Sequence, residues 1–366
     1  MGELNDEDCA ESIRHFVRNN PDVTVYDYIH RGCNGEVYFG KRNKMGDDVV
    51  LKFYWSHPNY DATEEAVILK NINHSNILKI HDLRFLAPNY AYFLTPKISG
   101  GDLQGIIENR NLSTKEVLNI IAGILLGLTE LHSAQKLVHR DLKPGNILID
   151  LAGIRPIIAD LGSVKKIDSR NGYVTASKST ILYLPPETLV SNKYYFQSDI
   201  YQVGIIFFQL LRGFFPINEP YKWLSKREAK KLDLIKNIIE KENAFVGLIK
   251  AKIIKGNLID LSTLPYYLDS QFKRVLHRAL NIDYEERYKT PFLFLKDIHQ
   301  LLRKCPDYIQ ELGSLRINHD SGKQFQIYKN TNEDFVVEKR MANKAWRKDN
   351  SHNGTIKSIL SIVRIN

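Results

Sequence analysis

Cysteine is scarce in this chain: Cys9, Cys33 and Cys305 are the only three in 366 residues. They are odd in number and far apart, which excludes a disulfide scaffold and a metal-binding spacing and points to a reducing compartment, read here as the cytoplasm. Long apolar runs are missing as well. The nearest candidate, "IYQVGIIFFQLL" at 200–211, is too short to span a bilayer and carries Gln202 and Gln209, so no membrane partner is expected. The N-terminus, "MGELNDEDCAES", has acids where a secretory leader needs an apolar core, and Asp6 stands where a myristoylation motif carries Ser or Thr. There is no internal repeat and no low-complexity tract. Charge is only mildly one-sided, 51 Lys and Arg against 42 Asp and Glu, for a net +9. The densest patch, "KREAKK" at 226–231, lacks the interleaved aromatics of a nucleic-acid platform and reads as a solvated helix face.

What is present falls into blocks. Residues 8–18 have the pattern of a short helix within an N-terminal extension, 1–20. From 23 to 55 three β segments follow, "VTVYDYIH", "EVYFGKR" and "VVLKFYW", joined by the turn signals "RGCNG" and "KMGDD". A helix, "DATEEAVILKNI", comes next, with Asp61 and Glu64 placed as a capping box. Glu65 shares its apolar stripe with Ile68, Leu69 and Ile72, and an acid facing inward needs a cationic partner. Two more strands, "NILKIHDLRF" and "YAYFLTP", complete a small antiparallel module, 21–98. The chain then turns mostly helical, 99–303, with a Ser113/Glu116 capping box opening one helix and "SDIYQVGIIFFQLLRG" reading as a helix buried all round. Residues 304–366 are polar, with a hairpin pattern in "FQIYKNTNEDFVVEK"; Trp346, in the basic run "KRMANKAWRK", is expected to pack back on the main body.

The polar groups concentrate in "VHRDLKPGNILID", 138–150, between two apolar runs. A simple turn does not need such a density of charge. Asp141 and Asn146 lie on one loop with Lys143 between them, and "PIIADLG" ends an apolar strand in Asp160. Oxygens from Asn146 and Asp160 suit Mg²⁺, which takes few protein ligands and shares the rest with phosphates, leaving Asp141 to accept a proton. Upstream, Gly32 and Gly35 in "RGCNGEV" let backbone approach phosphates, and Lys52 at the end of "VVLK" has the reach to contact phosphates and to pair with Glu65.

Taken in order, these motifs resemble the eukaryotic-type (Hanks-type) serine/threonine protein kinases over residues 25–303. The loop "IHRGCNGEVY", Lys52 with Glu65, "HRDLKPGN", "DLG" at 160–162, "YLPPE" at 183–187, "SDIYQVG" with Asp199, and Arg287 in "NIDYEERYKT" each have a counterpart in that family. The resemblance implies an α+β, bilobal fold: a small antiparallel β-sheet lobe with one helix, and a larger mainly helical lobe. It implies ATP and Mg²⁺ as cofactors. Asp141 and Lys143 would act at the acceptor hydroxyl, Lys52 and Glu65 at the α- and β-phosphates, and Asn146 and Asp160 on the metal. Gly32 and Gly35 would cover the phosphates. Thr95 would stand beside the adenine pocket, Pro96 to Ile98 would form the hinge, and Val37, Val50 and Leu148 would sandwich the ring. Pro96 has no N–H to offer, whereas Ile98 has.

Lys143 and Thr180 match the Ser/Thr branch, so a protein substrate is expected, with autophosphorylation at Thr175 or Ser177 ordering the loop through Arg140. There are departures. His30 replaces the first glycine of the loop, Leu161 the usual Phe and Pro185 an Ala, and the stretch 214–264 is longer than the family's norm. The competing readings are a silent pseudokinase scaffold and a small-molecule phosphotransferase of related fold.

Overall fold

In a computed structural model of the chain, residues 6, 9–30, 35–55, 70, 72–87, 90–167, 170–177, 180–350 and 355–363 are described. The expected helix beginning at Asp61, with Glu65, and the glycine Gly32 lie outside them, as do Cys33, Ser169 and Ser179.

The N-terminal helix α1 (Glu11–Arg18) precedes five antiparallel strands: β1 (Val23–His30), β2 (Glu36–Arg42), β3 (Asp48–Trp55), β4 (Asp82–Ala87) and β5 (Tyr90–Pro96). They lie in the order β1-β2-β3-β5-β4. Because strand side chains alternate between faces, each strand supplies two surfaces. Tyr38, Leu51, Phe53, Tyr92 and Leu94 form one, and Ile13 and Val17 of α1 are buried in the same cluster. The other set, Val37, Val50, Lys52, Phe93 and Thr95, faces the cleft described below. The extension is therefore part of the lobe. Asp6, almost wholly buried, fastens it by accepting hydrogen bonds from the Tyr38 hydroxyl (3.0 Å) and Arg18 (3.1 Å).

The second lobe opens with α2 (Leu103–Asn109) and α3 (Thr114–Thr129), the latter started by the reciprocal Ser113–Glu116 capping box. With the turn at 130–134 that prolongs it, α3 is long and apolar enough to cross a bilayer, which the run lengths in the sequence did not suggest, but most of it is buried in this core. Gly127 is required there: a Cβ would lie 2.8 Å from the Asn76 carbonyl. The chain continues through β6 (Leu137–Val138), β7 (Ile147–Asp150), β8 (Arg155–Ile158), β9 (Lys165–Lys166), β10 (Val174–Thr175), α4 (Pro186–Ser191), β11 (Lys193–Tyr194) and α5 (Phe196–Leu210). Nearly every residue of α5 is buried, as its unbroken apolar character predicts. The stretch 214–264 contains α6 (Lys226–Asp233) and α7 (Ile238–Ile254), and α8 (Ser270–Ala279) and α9 (Pro291–Lys304) close the lobe.

The polar C-terminal region holds more structure than its composition suggests. The hairpin seen in the sequence is β14 (Lys323–Lys329) with β15 (Phe335–Met341), inside a five-stranded meander that also contains β12 (Asp307–Glu311), β13 (Ser314–Asn318) and β16 (Arg347–Lys348). Ile317, Phe325, Ile327 and Val337 share one face of it and, with Ile359 and Leu360 of α10 (Ile356–Val363), join the core cluster built on α3 and α9. Trp346 departs from expectation. It is only half-buried and stacks under the Arg340 guanidinium, 4.3 Å from its ring, within this sheet. The sheet already has aliphatic residues enough to cover α3, so the indole is not needed there.

Candidate active site

A cleft of about 330 Å³ separates the lobes. Val37, Val50, Lys52, Thr95, Pro96, Ile98, Leu148 and Asp160, all singled out from sequence, line it. Leu78 and Ala159 line it too and were missed. Each carried a local signal, Leu78 in the apolar alternation of "NILKI" and Ala159 directly before Asp160. A larger hollow of about 520 Å³ lies between α2 and residues 209–219, but no candidate site residue borders it.

The hinge geometry is selective. Pro96 has no N–H, and the Lys97 N–H donates to the Asp48 carbonyl (3.0 Å). That leaves the Ile98 N–H as the donor available to a bound base.

Below the cleft, Asp199 at the start of α5 fixes the loop 139–146. Its carboxylate accepts the backbone N–H groups of His139 (2.8 Å) and Arg140 (3.0 Å), the Tyr194 hydroxyl (2.6 Å) and His132 Nε2 (2.8 Å). Burial acts to raise the Asp199 carboxyl, yet these donors hold it below the ordinary carboxylate range. The two amides can converge because Arg140 adopts a left-handed conformation (φ 72°) that L-residues rarely occupy, a strain maintained by the surrounding bonds. Leu142 N–H donates to Gln202 one turn further along α5 (2.8 Å).

The loop thereby presents Asp141. Its Oδ2 accepts from Lys143 Nζ (2.9 Å) and Asn146 Nδ2 (3.0 Å), while its Oδ1 is buried without any hydrogen-bond partner among the described residues. Lys143 also donates to Thr180 Oγ1 (3.1 Å), joining the loop to the segment before α4. Asn146 uses its amide N–H₂ on Asp141 and leaves its carbonyl oxygen pointing elsewhere. Its own backbone carbonyl accepts from Ala159 N–H (2.9 Å), which draws Asp160 alongside.

Lys52 Nζ donates to Asp160 Oδ1 at 2.9 Å, across the lobe boundary. Burial pushes the Asp160 carboxyl up, but the Lys52 ammonium, helped by His139 and Lys143, outweighs it and holds the group ionised. Leu161 is buried in the core as an apolar plug. Gly35 has φ 94°, a backbone state that Gly occupies freely, and stands at the head of β2. His30 faces Glu36 across the two strands, Nδ1 to carboxylate at 3.1 Å. An ionised carboxylate and an amide oxygen are hard donors that fit Mg²⁺.

Of the loop residues expected to carry phosphate, Ser177 Oγ donates to the Arg140 carbonyl (3.1 Å) and the Thr175 carbonyl accepts from Arg140 Nη1 (2.8 Å). Arg140 thus already holds the loop through backbone groups. At the base of the lobe, Glu187 and Arg287 pair in a buried two-pronged bridge, 2.8 and 2.9 Å.

The pattern that defines the protein kinase domain matches residues 23–302. The chain is 30% identical over 229 residues to a probable LRR receptor-like serine/threonine-protein kinase of Arabidopsis thaliana, covering 59% of this chain and 24% of the relative. It is 30% identical over 218 residues to serine/threonine-protein kinase D3 of Homo sapiens, covering 56% and 24%. To serine/threonine-protein kinase D3 of Mus musculus it is 28% identical over 273 residues, covering 65% and 30%. The chain therefore spans 24 to 30% of the length of these relatives.

Proposed function

Because this chain belongs to the protein kinase family, we propose that it transfers the γ-phosphoryl group of Mg²⁺·ATP to serine or threonine hydroxyls of proteins, its own chain included. The observation that carries the reading is Asp141: one carboxylate oxygen is gripped by Lys143 and Asn146, and the other is buried with no partner among the described residues. A buried anionic oxygen without a donor is costly, and an acceptor hydroxyl supplies the missing donor.

In this reading Asp141 Oδ1 orients the acceptor hydroxyl and takes its proton as the new O–P bond forms and the bond to the leaving ADP oxygen breaks. Lys143, already on Thr180, neutralises charge on the transferring group and favours a short hydroxyl side chain. Lys52 turns from Asp160 toward the α- and β-phosphates, with Glu65 as its expected second partner. Asn146 and Asp160 would hold the Mg²⁺, which when bound would screen the negative charge of the phosphates. The backbone at Gly32 and Gly35 covers the phosphates, the Ile98 N–H reads adenine, and Val37, Val50 and Leu148 enclose its ring. Residues 21–98 thus form one wall of the nucleotide cleft, and 99–303 supply the other wall, the metal ligands and the groups at the acceptor. The buried, unpaired thiols of Cys9 and Cys305 support a reducing, cytoplasmic setting.

The test is transfer from radiolabelled ATP with Mg²⁺ by the wild type and by Asp160→Asn, with the labelled residues mapped. Label on Ser or Thr in the wild type and none in the variant is expected. ATP bound without transfer in both would refute the reading in favour of a scaffold, and label confined to a small molecule would refute the protein substrate.

A further inference from the structure

The stretch 214–264 carries a surface that the reaction itself does not use. Leu234, which follows α6, and Ile238 and Ile239, which begin α7, are 82, 74 and 69% exposed. Three large aliphatic side chains so exposed within six residues are not ordinary surface, since isolated exposed apolar residues are common and clusters are not.

Beside them lies unbalanced charge. Lys226, Arg227, Lys230 and Lys231 recur along α6 at i, i+1, i+4 and i+5, which places them on the side of the helix away from buried Leu232. These four and Lys236 are exposed and form no ion pair among the described residues. Two of the neighbouring acids are engaged, while Glu240 and Glu242 of α7 stand exposed against the five cations. Glu228 closes the Ser225 cap and meets Lys252 (3.1 Å), and its carboxyl is pushed down to about 2, chiefly by the Ser225 backbone N–H. Asp233 is taken by Lys241 (3.0 Å) and Tyr221 (3.2 Å).

The opposite side of the insertion is firmly seated. Ile249 and Ile253 of α7 and Trp223 pack with Ile181, Leu182 and Leu189. Residue 181 follows Thr180, which Lys143 joins to Asp141. A partner held on the outer surface is thus anchored to the segment that borders the acceptor site.

We propose that the α6–α7 insertion docks the protein substrate, and that it selects segments combining acidic with aliphatic side chains. The inference rests on the kinase reading for the word substrate. The surface itself, five cations without an ion pair among the described residues beside three bare aliphatics, specifies an acidic, partly apolar partner whatever the chemistry.

The experiment measures retention of the full chain on arrayed random peptides, each with one central Ser or Thr, using the wild type, Asp160→Asn, Leu234→Gln/Ile238→Gln/Ile239→Gln and Lys226→Glu/Lys230→Glu/Lys231→Glu. Peptides that are acidic and aliphatic should be retained about tenfold better than neutral or basic ones by the wild type and by Asp160→Asn, a preference equivalent to about 1.4 kcal/mol. Both insertion variants should lose the preference while their KM for ATP is unchanged. The substituted side chains are exposed, so the fold tolerates the changes, and unchanged melting temperatures check this. If the preference is present but nothing is phosphorylated, docking stands and the kinase reading falls. Equal retention by wild type and variants overturns the proposal. So does retention on phosphatidylserine vesicles or duplex DNA that exceeds retention on any peptide and is lost in the same variants.

Discussion

Replacing Arg287 with Met should destabilise the helical lobe far more than loss of any surface ion pair. The guanidinium is fully buried and its partner Glu187 is 7% exposed. It makes two bonds to Glu187 and donates as well to the carbonyls of Asn281 (2.7 Å), Gln197 (3.1 Å) and Ile282 (3.2 Å), with its plane over the Tyr201 ring at 4.7 Å. Methionine fills much of the volume but leaves Glu187 as a buried charge with, among the described residues, only the Ser198 hydroxyl on it. Breaking a buried pair from one side costs about 3–5 kcal/mol. That is a large share of a typical total of about 5–15 kcal/mol. Urea unfolding followed by tryptophan fluorescence reads it, since Trp223 packs in the cluster that contains Leu189. The double variant Glu187→Gln/Arg287→Met, which removes the orphaned charge, should be more stable than Arg287→Met alone. A loss below about 1 kcal/mol, the range of exposed pairs, would refute the reasoning.

Other expectations follow from the same geometry. Asp199→Asn should lower kcat at least about tenfold with the KM for ATP nearly unchanged, because it loosens the loop that presents Asp141 and not the cleft. The lowered Asp199 carboxyl contributes stability above the ordinary carboxylate range that is lost as pH falls through its folded value. In thermal melts across pH the Asn variant should show a flatter acid limb. The Cys9 thiol is pushed up by burial and that of Cys305 up to about 12 by the same cause, so neither should react with iodoacetamide near pH 8 until the protein unfolds, as peptide mass spectrometry can read. Truncation after Cys305 should expose the apolar faces of α3 and α9 that Ile317, Phe325 and Ile359 cover, giving an aggregating chain by size-exclusion chromatography.

The loop 139–146 was legible because its polar groups are contiguous: Asp141, Lys143 and Asn146 are neighbours in sequence and remain neighbours in space. The sheet of the first lobe was legible through period-two alternation, which divides Leu51 and Phe53 from Val50 and Lys52 between its faces. Asp199 was placed by resemblance, but three of its four donors, from His132, His139 and Arg140, lie about sixty residues upstream and could be known only from the fold. The C-terminal sheet was concealed by short strands whose inward residues are few. In "DYIQELGSLRIN" Leu315 and Ile317 are buried while Leu312, at the turn, is wholly exposed, so apolar character alone misassigns them. Trp346 misled in the opposite sense, since an amphipathic ring satisfied by Arg340 does not need a core. The exposed Leu234, Ile238 and Ile239 have ordinary helical spacing, and nothing in sequence distinguishes them from the buried Ile249 and Ile253.

The most direct test of the central claim is single-turnover transfer by Asp141→Asn beside the wild type, with ATP affinity measured on both. The account predicts equal ATP binding and a transfer rate lower by about a hundredfold or more, because an amide cannot take the hydroxyl proton while the nucleotide cleft is untouched. Transfer by Asp141→Asn at the wild-type rate would contradict it.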